Sequence, residues 1–324
     1  MYQKQQWQPS TEIATLRKRA ELFSQVRHFF YERNVMEVDT QMLSLASISD
    51  PHIESLSLQT AIEGKPTTYY LQTSPEFAMK RLLCAGAGSI YQLGKVFRAE
   101  DRGRRHALEF TMLEWYRVGF DHWQLMDEIE QLLKRVANNE RLVCERMSYK
   151  ETFETVLGFN PYAVGLKTLQ TVSYQHTEYG LAETDRDTLL ELLFSHVIEP
   201  KIGWQQPCFI HSYPASQAAL AKKIQVDGDD IAARFELYWQ GMELANGYFE
   251  LTDADEQAER FAEEMAQRSL LTLAPRQVDE RLVSALEEGM PSCAGVALGI
   301  DRLLMLLCQI DHINQVIPFA DDRA

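Results

Sequence analysis

Apolar positions recur along the chain with two periods, and the switches between them predict its elements. Leu16, Ala20, Phe23, Val26 and Phe30 repeat at helical spacing, which predicts an amphipathic helix over about 12–33 with Ser10 or Thr11 as its cap. Residues 35–38 read as a short strand, and after a loop-rich stretch 68–72 reads as another. The run TSPE then opens a helix over 76–83, with Pro75 in the first turn, where its missing N–H costs nothing. Two strands follow at 90–97 and 108–116, separated by the charged stretch RAEDRGRRHA. Asp121 starts a helix that puts Leu125, Met126, Ile129, Leu132, Leu133 and Val136 on one face. From about 148 to 200 the pattern is helical, broken at Gly158, Pro161 and Gly180, and reads as an insertion. Strands return at 208–212, 235–239 and 242–251, helices at 253–269 and 277–288, and GVALGIDRLLMLL forms a last strand-to-helix turn. Strands joined by hairpin-like turns with helices grouped around them predict an α+β fold with a largely antiparallel sheet. No shift in composition marks a second domain, so 1–324 is expected to form one.

Composition narrows the setting. The chain has 324 residues, is 45% hydrophobic and 24% charged, and carries 32 Lys and Arg against 47 Asp and Glu, a net charge of −15. That is a globular composition. The charge argues against a protein gripping nucleic acid through a broad basic face, though not against a local basic patch. No run of 18 apolar residues predicts a membrane span. The start, MYQKQQWQPS, lacks the apolar centre of a signal peptide, and five scattered cysteines with no C-x-x-C fit neither a disulfide framework nor a zinc ribbon. A reducing cytoplasm is the expected location.

Three segments carry candidate chemistry. In FRAEDRGRRHALEFTMLEWY, a hairpin would hold Arg98, Arg102, Arg104 and Arg105 over one site, and guanidinium forks suit a polyphosphate. Alternation on its second strand puts Phe110, Met112, Glu114 and Tyr116 on one face. A solvated charged hairpin is an equally good reading of composition alone. In GVALGIDRL, small residues before Gly299 let backbone approach a ligand, and Arg302 adds a cation; a tightly packed turn with a surface arginine explains the same residues. Between them lie Glu236, Glu243 and Glu250. Asn246, Tyr248 and Glu250 alternate on one strand face while Glu243 is out of phase, so a shared pocket needs a bulge between Glu243 and Asn246. Carboxylates beside a polyphosphate suit Mg²⁺, although each could equally be an exposed strand residue.

Together these segments resemble the three signature motifs of class II aminoacyl-tRNA synthetases, and most nearly the catalytic domain of the lysyl enzymes. The first helix and strand ending EVDT stand for motif 1, FRAED…RHALEFTMLEWY for motif 2 and GVALGIDR for motif 3, and TSPE and ELANGYFELTDADEQAERF extend the likeness along nearly the whole chain. The lysyl enzymes carry an anticodon-reading domain before motif 1, for which this sequence is expected to have no room. The resemblance therefore points to the protein-modifying branch that transfers β-lysine to elongation factor P. It implies a class II catalytic fold, a homodimer, ATP as substrate with Mg²⁺, and β-lysine and elongation factor P as partners, with no membrane association. Charging of tRNA, or a non-catalytic regulatory role, are the alternatives; the acidic balance argues against the first and the intact Arg98, Glu243 and Arg302 against the second.

Residue roles follow from the resemblance. It implies that Arg98 holds the α-phosphate, Glu100 the adenine amino group and Phe110 the adenine ring. Arg302 would take the far end of the triphosphate, with Ala99, Ala107, Leu244 and Gly299 at the nucleotide. Glu236 and Glu243 would hold Mg²⁺. Ser74, Pro75, Glu76, Glu114, Tyr116, Asn246, Tyr248, Glu250 and Ala297 would form the lysine pocket. The chain departs from the family pattern at Gln41, Ala99, Ala107 and Ala297. At Ala297 the added methyl could favour the β-isomer by about 1–3 kcal/mol.

Overall fold

The computed structural model describes residues 7–99, 102–321, 323 and 324, and these fall into two units. The first unit holds the described residues up to Gly119 together with Thr252–Ser292 and Ala297–Ala324; the second holds Phe120–Leu251 and Cys293–Val296.

The first unit opens with helix α1 (Ile13–Tyr31), then β1 (Met36–Glu37), β2 (Leu43–Ser44), β3 (Ser57–Ile62), β4 (Lys65–Leu71), α2 (Glu76–Cys84), β5 (Ile90–Phe97) and β6 (Glu109–Val118). The cap of α1 is Glu12, without a side-chain hydrogen bond. The expected caps do other work: Thr11 Oγ1 donates to the Gln315 carbonyl, and Ser10 Oγ accepts from Ala320 N–H at 2.8 Å, so both fasten the C-terminal segment. The buried stripe of α1 is Thr15, Arg19, Leu22, Val26, Phe29 and Phe30, rotated by about one residue from the expected apolar face. A buried arginine causes the shift, because its partners lie on that side. Phe30 stacks on Tyr91 at 4.4 Å and meets Trp115 edge-on at 5.4 Å, joining α1 to β5 and β6.

Strands β5 and β6 form a continuous antiparallel ladder from Ile90 opposite Tyr116 to Phe97 opposite Glu109, with β1 parallel to β5. A separate antiparallel sheet joins β2 to β4 and β4 to β3. Strand β3 lies in the stretch read as loop.

The second unit contains α3 (His122–Val136), β7 (Glu145–Ser148), α4 (Tyr149–Leu157), α5 (Leu166–Thr177), α6 (Arg186–Leu193), β8 (Cys208–Pro214), β9 (Lys223–Val226), β10 (Asp229–Tyr238) and β11 (Glu243–Phe249). Asp121 caps α3 in a reciprocal capping box with Gln124. Strand β10 is antiparallel to β8, β9 and β11, while β7 runs parallel to β8. The helices α4–α6, read as an insertion, share one core with this sheet: Tyr149, Phe153, Leu189 and Phe194 are buried with Ile210, Tyr213, Ala232 and Tyr238.

The chain then forms α7 (Ala254–Leu270) and α8 (Glu280–Glu288) of the first unit, β12 (Cys293–Gly299), whose first four residues belong to the second unit, and α9 (Ile300–Cys308). An α+β fold with mostly antiparallel pairing is thus borne out. Among the described residues no helix is long and apolar enough to cross a membrane.

Candidate active site

In the first unit, Ser74, Glu76, Glu114 and Tyr116 come together as expected. Glu114 is buried on β6, and its carboxylate accepts from Ser74 Oγ at 2.6 Å and from Tyr116 Oη at 2.8 Å. Ser74 Oγ in turn accepts the Glu76 N–H at 3.0 Å, so the TSPE turn holds the start of α2 against β6. Glu76 Oε1 lies 2.7 Å from Lys80 Nζ one helical turn on, and Lys80 is 1% exposed. Sequence reasoning missed this lysine, although its i,i+4 spacing from Glu76 was a readable signal. A cavity of about 330 Å³ is lined by Ser74, Pro75 and Glu76 together with Leu43, Leu71 and Thr73.

Glu264 on α7 adds a carboxyl that nothing in the sequence singled out. Ser49 Oγ donates to it, and burial, aided by the nearby charges of Asp50 and Glu76, pushes its pKa up to about 7. The folded state thus holds a proton that the unfolded state, with its ordinary glutamate pKa, releases near pH 4–5. Stability from this group is complete below the unfolded pKa and is lost as pH rises through 7. Glu264→Gln should remove that fall and gain about 1–3 kcal/mol at pH 8 relative to wild type. Urea unfolding at pH 5 and 8 checks it; an unchanged difference between the two pH values would refute it.

Of the nucleotide candidates, Arg98 and Ala99 follow β5, Ala107 precedes β6, Phe110 lies on β6, Gly299 ends β12, Arg302 lies on α9, and Glu243 and Leu244 open β11. The guanidinium of Arg98 lies over the Phe110 ring at 5.5 Å, and its backbone N–H bonds to Leu108 O at 3.0 Å. Ala99 N–H donates to Glu54 O at 2.8 Å, and the Glu54 carboxylate pairs with Arg268 and Arg276, which anchors the strand end where the family pattern has asparagine. Ala107 is buried, and Glu100 lies outside the described residues. Arg302 Nε donates to Arg105 O at 3.2 Å. The four hairpin arginines do not converge. Arg102 pairs with Asp321 at 3.2 Å and Arg104 with Asp311 at 2.6 Å, both on the surface, so these two tie the hairpin to the C-terminal segment. Gly299 caps α9 with φ −76°, a conformation open to any residue, and Ala297 is half-buried two residues before it.

In the second unit the expected bulge is present. Tyr238 opposes Glu243 and Leu237 opposes Ala245, which leaves Leu244 as an extra residue on β11. Beyond it, Glu236 opposes Asn246 and Arg234 opposes Tyr248. The extra residue therefore brings Glu243 into phase with Asn246 and Tyr248, on the face that carries Arg234, Glu236 and Tyr238. Gly247 is required for packing: a Cβ there would stand 2.4 Å from the Phe235 ring. Glu250 is buried at the end of this segment, and its N–H bonds to Cys293 O at 3.0 Å.

Glu236 sits in a buried hydrogen-bond network. Arg234 Nη2 donates to its Oε1 at 2.5 Å, while the hydroxyls of Tyr213 and Tyr238 donate to Oε2. Arg234 also reaches Asn246 Oδ1 at 3.3 Å and the Gln217 carbonyl at 2.8 Å. Burial, and then the Glu236 charge, raise both tyrosine pKa values well above the usual range. Burial opposes the Arg234 charge, but Glu236 outweighs it and holds the guanidinium above its ordinary value. One guanidinium and two phenols fix this carboxylate in place, and supporting hydrogen bonds of that kind are what metal-ligating carboxylates also carry, so the residue fits a Mg²⁺ ligand. Among the described residues no group of three or more His, Cys, Asp or Glu side chains is placed to hold a metal ion.

The family model described as class II tRNA synthetases (D, K and N) matches residues 6–323. The chain belongs to this family. Among class II synthetase relatives, the elongation factor P–(R)-β-lysine ligase of Pseudoalteromonas translucida is 49% identical over 98% of both chains. That of Vibrio cholerae is 50% identical over 98% of both, and that of Sodalis glossinidius 45% identical, again over 98% of both. Membership of the class II synthetases accounts for the β5–β6 hairpin and the β12–α9 turn as motifs 2 and 3, and implies use of ATP.

Proposed function

We propose that this chain activates (R)-β-lysine with ATP and transfers the β-lysyl group to a lysine side chain of elongation factor P. What carries the reading is the likeness, over 98% of both chains, to relatives named for that reaction. The anionic groups around TSPE support it, because a diamine substrate calls for carboxylates.

In the first step a carboxylate oxygen of β-lysine attacks the α-phosphorus of ATP and pyrophosphate leaves. In the second the neutral ε-amine of the acceptor lysine attacks the acyl carbon, and AMP leaves. No protein nucleophile is needed, so rate comes from alignment and charge. Arg98 would neutralise the α-phosphate, Phe110 would stack the adenine that Glu100 reads, and Arg302 would bind the far phosphates. Backbone at Ala99, Ala107, Leu244 and Gly299 would complete the nucleotide contacts. Ser74, Pro75, Glu76, Glu114, Tyr116, Asn246, Tyr248, Glu250 and Ala297 would orient the amino acid. Mg²⁺ would arrive with the triphosphate, and Glu236 and Glu243 would hold it.

A single catalytic domain spanning 1–324, a cytoplasmic location and a homodimer complete the proposal. Exposed Tyr31 and Met36, at the end of α1 and on β1, are apolar surface suited to a second copy. ATP–pyrophosphate exchange with α- and β-lysine, followed by transfer to elongation factor P or tRNA, tests the function. Exchange should require β-lysine and transfer should go to the protein. No exchange with either isomer refutes activation, and transfer to tRNA alone refutes the acceptor.

A further inference from the structure

Arg19 is an arginine on the buried face of α1, and it is 8% exposed. One nitrogen of its fork, Nη1, donates to Asp301 Oδ1 and lies 3.4 Å from the Val316 carbonyl. The other, Nη2, donates to Thr111 Oγ1 at 2.5 Å. The ring closes through Asp301 Oδ2, which accepts the backbone N–H of Thr111 at 2.6 Å. The guanidinium carbon also lies 5.0 Å from the centre of the Phe23 ring one turn further along α1. Asp301 is 1% exposed and Thr111 is 2% exposed, so water does not compete for these bonds.

The neighbours of this ring give it meaning. Thr111 follows Phe110 on β6, and Asp301 precedes Arg302 in the first turn of α9. Thr111 faces Lys95 on its β5 side, so its N–H, given to Asp301, serves the helix instead of a strand partner. A shift of α9 along β6 would break the Asp301 bond to the backbone and one arm of the Arg19 fork together.

We infer that Arg19 is a positioning residue for the nucleotide, fixing the Arg302 helix to the Phe110 strand through Asp301 and Thr111. The inference rests on the ATP-activating reading above. A planar fork suits the task because it meets two partners at a set angle, whereas an ammonium is a point charge on a flexible stem.

Arg19→Lys keeps the charge and loses the two-armed geometry. In β-lysine-dependent exchange its KM for ATP should rise about tenfold while KM for β-lysine stays within about twofold. Thr111→Val removes only the hydroxyl arm and should raise the ATP KM about threefold. Circular dichroism melting selects the variants that fold. An ATP KM unchanged in both, or a fall in kcat alone, overturns the inference, since a purely structural loss lowers the active fraction without touching KM. Calorimetric titration with ATP alone separates this from the choice of amino acid. If wild type binds ATP but exchanges with neither lysine isomer, the functional reading fails while the ratio of ATP affinities still decides the role of Arg19.

Discussion

A Lys80→Met variant is expected to lose about 3 kcal/mol of stability, seen as a lower urea midpoint with an unchanged slope. The ammonium is buried and sits 2.7 Å from Glu76, whose side chain is 15% exposed. Methionine fills most of the volume but leaves the Glu76 carboxylate with little water and without that cation. Removing one partner of such a pair costs more than removing both. Lys80→Met combined with Glu76→Gln should therefore recover part of the loss. A single-variant loss below about 1 kcal/mol would mean that the pair is solvated and the argument fails. In the folded fraction, KM for β-lysine should rise, because Lys80 fixes where the Glu76 charge sits.

Glu250→Gln should reduce β-lysine-dependent exchange about 100-fold or more, with the thermal midpoint held within a few degrees. Glutamine keeps the shape of a side chain that is 1% exposed, so the change removes charge with little effect on packing. An ammonium brought into so dry a place needs an anion; with a neutral amide the complex loses the charge-assisted part of its bonding. The loss should appear in the β-lysine KM and in kcat, with ATP affinity retained. Exchange at the wild-type rate would remove Glu250 from the pocket.

Much of the fold was readable because periodicity and caps reinforce one another. Strand β5, helix α2 and the Asp121 start of α3 fall where apolar spacing and cap residues put them. The strands that escaped lack that signal. All six residues of β3 are exposed, so no apolar alternation marks it. Its turn was nonetheless readable: Glu63 and Gly64 both have positive φ between β3 and β4, as do Asp227 and Gly228 between β9 and β10. Two-residue turns ending in glycine identify such hairpins without help from hydrophobicity.

The site divides the same way. The bulge at Leu244 could be inferred because Asn246, Tyr248 and Glu250 keep one phase along the segment and Glu243 breaks it. The commitment of Glu236 was half-readable. Arg234, Glu236 and Tyr238 alternate along one strand and so must share a face, which is enough to expect a pair. Tyr213 comes from β8, and no local pattern announces it. Arg19 misled the reading of α1 because its face was judged by hydrophobicity, and a charge buried against a distant aspartate has no signature in spacing.

The extra residue on β11 also bears on how this gene can change length. Elsewhere on the surface, as in the exposed turn after β3, one residue more or less would alter only a loop. Deleting one between Glu243 and Asn246 would remove the extra residue and restore plain alternation, with Glu243 still opposite Tyr238 and on the face of Asn246. A one-codon loss there would make a protein that keeps that carboxylate on its face and loses only the local bend of the bulge, so natural descendants can shorten this interval by one as freely as their loops drift.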